Sequence, residues 1–103
     1  MIRNEDIIRM VESIFDKRTD ILTIRHTFDD WDTIITVTNQ KMGAAGNITL
    51  AGPTPNFNID IDELIIELTK LGYEIVAVNT GPNEEKGWWR EEYLHQLKEQ
   101  AKL

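Results

Sequence analysis

The side chains able to do chemistry in this chain are few. Two histidines, His26 and His95, are the side chains that ordinarily titrate near neutral pH. A histidine-based metal or acid–base site needs both to meet a carboxylate in space, and their separation in sequence does not arrange this. His26 falls between Ile24 and Phe28 on the apolar face of a strand pattern, where a structural role is expected. His95 falls near the polar side of a helical pattern. Three aspartates stand close together in Asp29-Asp30-Trp31-Asp32. They could hold a divalent ion with water ligands, or form a solvated hairpin turn. Asn58-x-Asp60-x-Asp62 opens like a calcium loop but lacks the glycine at the sixth position and the glutamate at the twelfth. Gly43-Ala44-Ala45-Gly46 meets neither the P-loop nor the dinucleotide pattern, since no Lys-Ser/Thr follows and no helix opens there. Ser13, the one serine, sits in a helical pattern with no nucleophile motif. No catalytic residue, metal ligand or cofactor site is therefore assigned, and the chain is read as a non-enzyme.

Binding chemistry is better represented. From His26 to Glu67 there are seven acids and one base, so this span carries six of the seven net negative charges. Such a field attracts a basic protein surface. It opposes direct nucleic-acid binding and an anionic membrane surface. Trp88-Trp89 follows the polar run Asn83 to Lys86. On a helix adjacent side chains diverge by about 100°, so one of this pair is expected to be partly exposed, and tryptophan is a favoured interface anchor. Trp31 stands beside the three aspartates. The candidate binding residues are thus Asp29, Asp30, Trp31, Asp32, Trp88 and Trp89.

The elements that must position these residues are organised around Ile59 to Val78. Asp60 suits an N-cap, with Glu63 at capping-box spacing, and Ile59 and Leu64 suit a hydrophobic staple. Ile61, Leu64, Ile65 and Leu68 recur at helical spacing, and Gly72 suits a left-handed C-cap. Tyr73 to Val78 shows too little alternation for a one-sided strand and reads as a strand near the sheet centre. Upstream, Asn4 is placed to cap a first helix whose stripe is Ile7, Ile8, Val11, Ile14 and Phe15. Ile21 to Phe28 and Trp31 to Thr38 read as an antiparallel hairpin turning at Asp29-Asp30. The third strand is centred on Asn47 to Ala51, within eighteen positions, Met42 to Ile59, that carry no formal charge. Thr80-Gly81-Pro82-Asn83 ends the fourth strand. A last helix is expected from about Gly87 to Ala101. The spacing predicts one α+β domain over residues 1–103, ordered α-β-β-β-α-β-α. Its four-stranded sheet is mostly antiparallel, with helices mainly on one face.

The chain has no cysteine, and its first residues, MIRNEDIIRM, carry no signal-like apolar run, so a cytoplasmic setting is expected. In size, acidity and absence of cysteine it resembles the small phage-encoded inhibitors of bacterial defence, including the type II-A anti-CRISPR proteins that block Cas9. The resemblance is of the whole chain, without a shared motif. It implies a protein-binding module that occludes the basic groove of a nucleic-acid enzyme such as Cas9. A homo-oligomeric assembly module and a small metal-dependent enzyme using Asp29, Asp30, Asp32 and His26 are the alternatives.

Overall fold

The computed structural model describes residues 1–40, 46–81, 88–89 and 91–103, with only the backbone of Trp88 and Trp89. Its elements are β1 (Ile2–Arg3), α1 (Asn4–Ile14), β2 (Ile21–Phe28), β3 (Asp32–Asn39) and β4 (Asn47–Pro53). A 3₁₀ turn (Thr54–Asn56) leads to β5 (Phe57–Asn58), α2 (Ile61–Lys70), β6 (Glu74–Gly81), β7 (Trp88–Trp89) and α3 (Glu91–Gln100). The Gly43–Ala45 loop, the Pro82–Asn83 turn and the polar run from Asn83 to Lys86 lie outside the described residues.

The fold is the expected α+β domain. Four long strands lie in the order β4-β3-β2-β6, with the two-residue β7 beyond β6. β2, β3 and β4 pair antiparallel, and α2 carries the chain across to β6, which pairs parallel with β2. Leu22, Ile24, Ile35, Val37, Ile48, Ile75 and Val78 line one sheet face. They are buried with Ile7, Val11 and Phe15 of the first helical segment, Leu64, Ile65 and Leu68 of α2, and Leu94 and Leu97 of α3. On the other face Thr23, Arg25, Ile34, Thr36, Thr38 and Thr49 are partly or fully exposed, as the period of two requires.

Several expectations need correction. β2 is the middle strand of the sheet, and β6 lies beside it, paired on both sides near the sheet centre. The apolar run Ile75-Val76-Ala77-Val78 has another cause. The register passes from Leu22↔Ile75 to Thr23↔Ala77, so Val76 is an extra residue in a bulge and is 40% exposed. The bulge shifts the phase of alternation and returns Val78 to the core. Trp88 and Trp89 do not belong to the last helix. They pair with Thr80 and Asn79 in β7, and α3 starts at Glu91. Aromatic residues suit a strand, and the helical divergence of adjacent side chains has no bearing there.

Asn4 is not the cap of α1. Arg3 holds that position, its N–H donating to Asp6 Oδ2 at 2.9 Å. The Asn4 amide turns instead to the other helix: its Nδ2 donates to the Asp60 carbonyl at 3.0 Å, and its Oδ1 accepts the Asp60 N–H at 3.1 Å. Asp60 caps α2 as expected, accepting the Glu63 N–H at 3.2 Å. At the far end Gly72 takes φ +102°, its N–H reaching Thr69 O and the Tyr73 N–H reaching Leu68 O, which closes the helix in a Schellman motif. Lys17 Nζ donates to the Leu71 carbonyl at 3.2 Å, so it serves the C-terminus of α2 rather than that of α1. With Asn4 joined to one end of α2 and Lys17 to the other, α1 and α2 run parallel.

Asp60→Ala is expected to lower denaturant stability by about 1 kcal/mol through loss of the cap. Gly72→Ala, forced into a left-handed conformation with its Cβ 3.3 Å from Lys17 Cδ, is expected to cost about 1 kcal/mol or more. Unchanged unfolding midpoints in both variants would mean that neither cap carries stability.

Candidate functional site

The acidic hairpin is a built turn. Asp29 Oδ1 accepts the N–H groups of Trp31 and Asp32, both at 2.7 Å, and the Asp29 N–H donates to the Asp32 carbonyl at 2.9 Å. The main-chain donors of Asp32 and Trp31 hold the Asp29 carboxyl below the usual carboxylate range. Asp29 is thereby committed to the turn. The 3₁₀ turn supports it from below. Thr54 donates its N–H to the Trp31 carbonyl at 2.9 Å and its Oγ1 to the Asp29 carbonyl at 2.8 Å, and Oγ1 lies 2.9 Å from Thr33 Oγ1. Trp31 was expected to open the second strand. It lies instead in the turn before β3, with 78% of its surface exposed. Asp30 and Asp32 are exposed beside it, and their carboxylates make no hydrogen bond or ion pair among the described residues.

Beneath the turn is a recess of about 200 Å³ lined by His26, Phe28, Thr33, Thr54, Phe57 and Ile59. Ile59 leads into Asp60, and β5 beside it pairs with β1 through Ile2↔Phe57 and Arg3↔Asn58. The hairpin tip and the N-termini of α1 and α2 therefore share one end of the molecule. Glu5 and Asp6 lie in the first turn of α1, and Asp62 and Glu63 in the first turn of α2. These acids face the positive ends of the helix dipoles, which partly offset their charge. Asp30 and Asp32 have no such partner. The ion pairs among the described residues are Arg9–Asp6 at 2.8 Å, Arg18–Asp16, Lys98–Glu74 and Lys102–Glu99, none of which reaches the hairpin.

Trp88 pairs with Thr80, which pairs with His26, so the backbone of β7 lies in the same row as His26, two strand spacings or roughly 10 Å away. The side chains of Trp88 and Trp89 lie outside the described residues. Phe28 and Thr54 join the site without a mark in the sequence that assigns them to it. Phe28 has the parity of the core face, but β2 ends there and leaves the ring 40% exposed at the rim, 5.0 Å from the His26 ring. Thr54 lies in a Gly/Pro-rich connection whose tertiary contacts leave no periodic trace.

His26 is buried on the core face, and its Nδ1 has no hydrogen-bond partner among the described residues. Burial pushes its pKa below the ordinary value. Among the described residues no carboxylate is bonded to it, and no group of three or more His, Asp or Glu is placed for a metal ion. Another recess, of about 620 Å³, lies elsewhere, between the end of α1 and Tyr73. No helix among the described residues is long and apolar enough to cross a membrane. What the tip supplies is a supported surface carrying an indole and unpaired negative charge.

His26 has a consequence for acid stability. Above the ordinary histidine value of 6.5 both folded and unfolded states are neutral there. Below it the unfolded chain takes up a proton that the folded chain resists, so stability falls from pH 6.5 towards the lowered folded value. Asp29 is shifted in the same direction, by main-chain hydrogen bonds rather than burial: its contribution is complete above the unfolded value of 3.8 and is lost as pH falls through its folded value. Urea unfolding between pH 7 and 5 is expected to show a slope that His26→Leu removes; an equal slope in both proteins would exclude His26 as its source. No family model, curated protein or solved structure matches this chain.

Proposed function

We propose that this chain is a non-enzymatic protein-binding module that seats the hairpin end of its sheet on a basic surface of a partner. The observation that carries this reading is Trp31, 78% exposed, flanked by the unpaired carboxylates of Asp30 and Asp32 on a turn that Asp29 and Thr54 hold in place. The carboxylates raise the rate of encounter with a basic groove, and the indole slows release by burying a large amphipathic ring. A preformed turn reduces the ordering cost of binding. The whole-chain resemblance to phage-encoded inhibitors names the partner class: a nucleic-acid enzyme of the Cas9 kind, whose DNA-binding groove is basic. Occlusion of that groove by carboxylates and an aromatic anchor would exclude the nucleic acid without chemistry. Trp88 and Trp89, whose backbone lies at the same end of the sheet, are the further candidates for this contact.

The test uses purified Cas9 loaded with guide RNA. The chain is expected to bind it, to compete with target DNA, and to lose affinity as salt rises. Asp30→Ala with Asp32→Ala is expected to slow association about tenfold, and Trp31→Ala to speed dissociation. Asp29 is left intact because the turn depends on it. An association rate indifferent to both charge removal and salt, or no competition with DNA, would sink the proposal.

A further inference from the structure

The sheet has two unlike edges. Beyond β6 lies β7, which pairs with Asn79 and Thr80. Lys98 of α3 donates to the Ile75 carbonyl and to Glu74 Oε1, both at 3.0 Å. That edge carries protection of the usual kind, a short pairing segment, a helix and a lysine. The other edge is β4, seven residues, NITLAGP, paired to β3 on one side. No hydrogen bond from another described residue reaches its outer side.

The direction of the bare groups follows from the register. Thr54 donates its N–H to the Trp31 carbonyl, continuing the β3–β4 ladder in which Asp32 faces Pro53. Hydrogen-bonded and non-hydrogen-bonded positions alternate in such a ladder. Ile48, Leu50 and Gly52 therefore turn their main-chain groups towards β3. Asn47, Thr49 and Ala51 turn theirs outward, joined by the carbonyl of Pro53. Of the edge defences found in sheets, the described residues give β4 only the proline at its last position.

We propose that β4 pairs antiparallel with β4 of a second copy of this chain, about a two-fold axis through Leu50. Leu50 is the midpoint of Asn47–Pro53, so this register pairs the whole strand. Thr49 exchanges both hydrogen bonds with Ala51 of the second copy, and the Asn47 N–H reaches the Pro53 carbonyl. On the core side Leu50 meets its own copy, and Ile48 lies opposite Gly52, a large residue against a small one. An isologous contact needs this self-complementarity. The choice of a second copy as occupant rests on charge. The chain carries −7, and β4 lies within eighteen positions that carry none. The Pro53 end of β4 faces Asp32 at the acidic end of the molecule, and the Asn47 end points away. Antiparallel pairing thus places the two acidic ends at opposite extremities of a continuous sheet, where repulsion is least. Parallel pairing would set them side by side.

Sedimentation analysis of the full chain is expected to give twice the monomer mass. Thr49→Pro removes an outward N–H and no bond to β3, so it is tolerated at an edge and is expected to give a folded monomer. Leu50→Cys, in a chain without cysteine, is expected to form an interchain disulfide under mild oxidation, because non-hydrogen-bonded antiparallel partners lie within bridging distance. Ala51→Cys, whose partner is Thr49, is expected to cross-link far less. A wild-type monomer at the highest attainable concentration would overturn the proposal. So would a dimer that survives Thr49→Pro while Leu50→Cys fails to cross-link. If Thr49→Pro does not fold, the cross-linking pair alone decides.

Discussion

The clasp between the Asn4 amide and the main chain of Asp60 constrains much else in this structure. An asparagine side chain offers one acceptor and donors on a single plane, and here both satisfy the N–H and C=O of one residue. That residue is the cap of α2. The clasp therefore joins the start of α1 to the start of α2, and Lys17 joins their far ends through the Leu71 carbonyl. Two parallel helices with aligned N-termini are the result. Acidic residues favoured in first helical turns are then gathered at one end of the molecule by a rule that concerns only helix stability.

The same end receives the hairpin, because β2 runs back antiparallel to α1 and turns at Asp29. Two kinds of carboxylate meet there. Asp6, Asp29 and Asp60 are committed to main-chain donors. Asp30 and Asp32 have no such commitment. Charge counted along the chain cannot separate the two kinds. Only the second kind retains its full field in solvent, and it flanks the exposed indole of Trp31. The acidic excess thus serves two purposes: local structure where a donor is present, and an outward potential where none is.

The sheet divides its work in a similar way. Its core face holds the helices, and the other face of β2 and β3 is rich in threonine, although Thr27 is buried there and Ile34 interrupts the polar row. The bulge at Val76 keeps both Ile75 and Val78 in the core, although their spacing is wrong for a regular strand. A defect in the ladder thereby yields an apolar run that imitates a fully buried strand. The edges differ because α3 packs beside β6 and no hydrogen bond from a described residue reaches the outer side of β4. The long uncharged segment that looks unremarkable as composition becomes a bare row of main-chain donors and acceptors once its neighbours are known.

What the sequence by itself determined is local. The cap at Asp60, the left-handed Gly72, the stripes of α1 and α2 and the hairpin around Asp29-Asp30 follow from interactions between residues a few positions apart, and such interactions leave periodic or positional marks. The element order and the one-sided layering follow from those marks with little freedom. The tertiary structure decided the rest. Asn4 has the right type and place to cap α1, yet its amide lies opposite a main-chain donor and acceptor 56 residues away. Trp88 and Trp89 fit a helix by position and a strand by pairing, and the choice depended on a partner in β6. Trp31 lies outside the core because β3 begins one residue later than alternation suggests, leaving Trp31 in the turn. In each case an equally good local alternative existed, and the contact that selected between them joins residues that no short window contains.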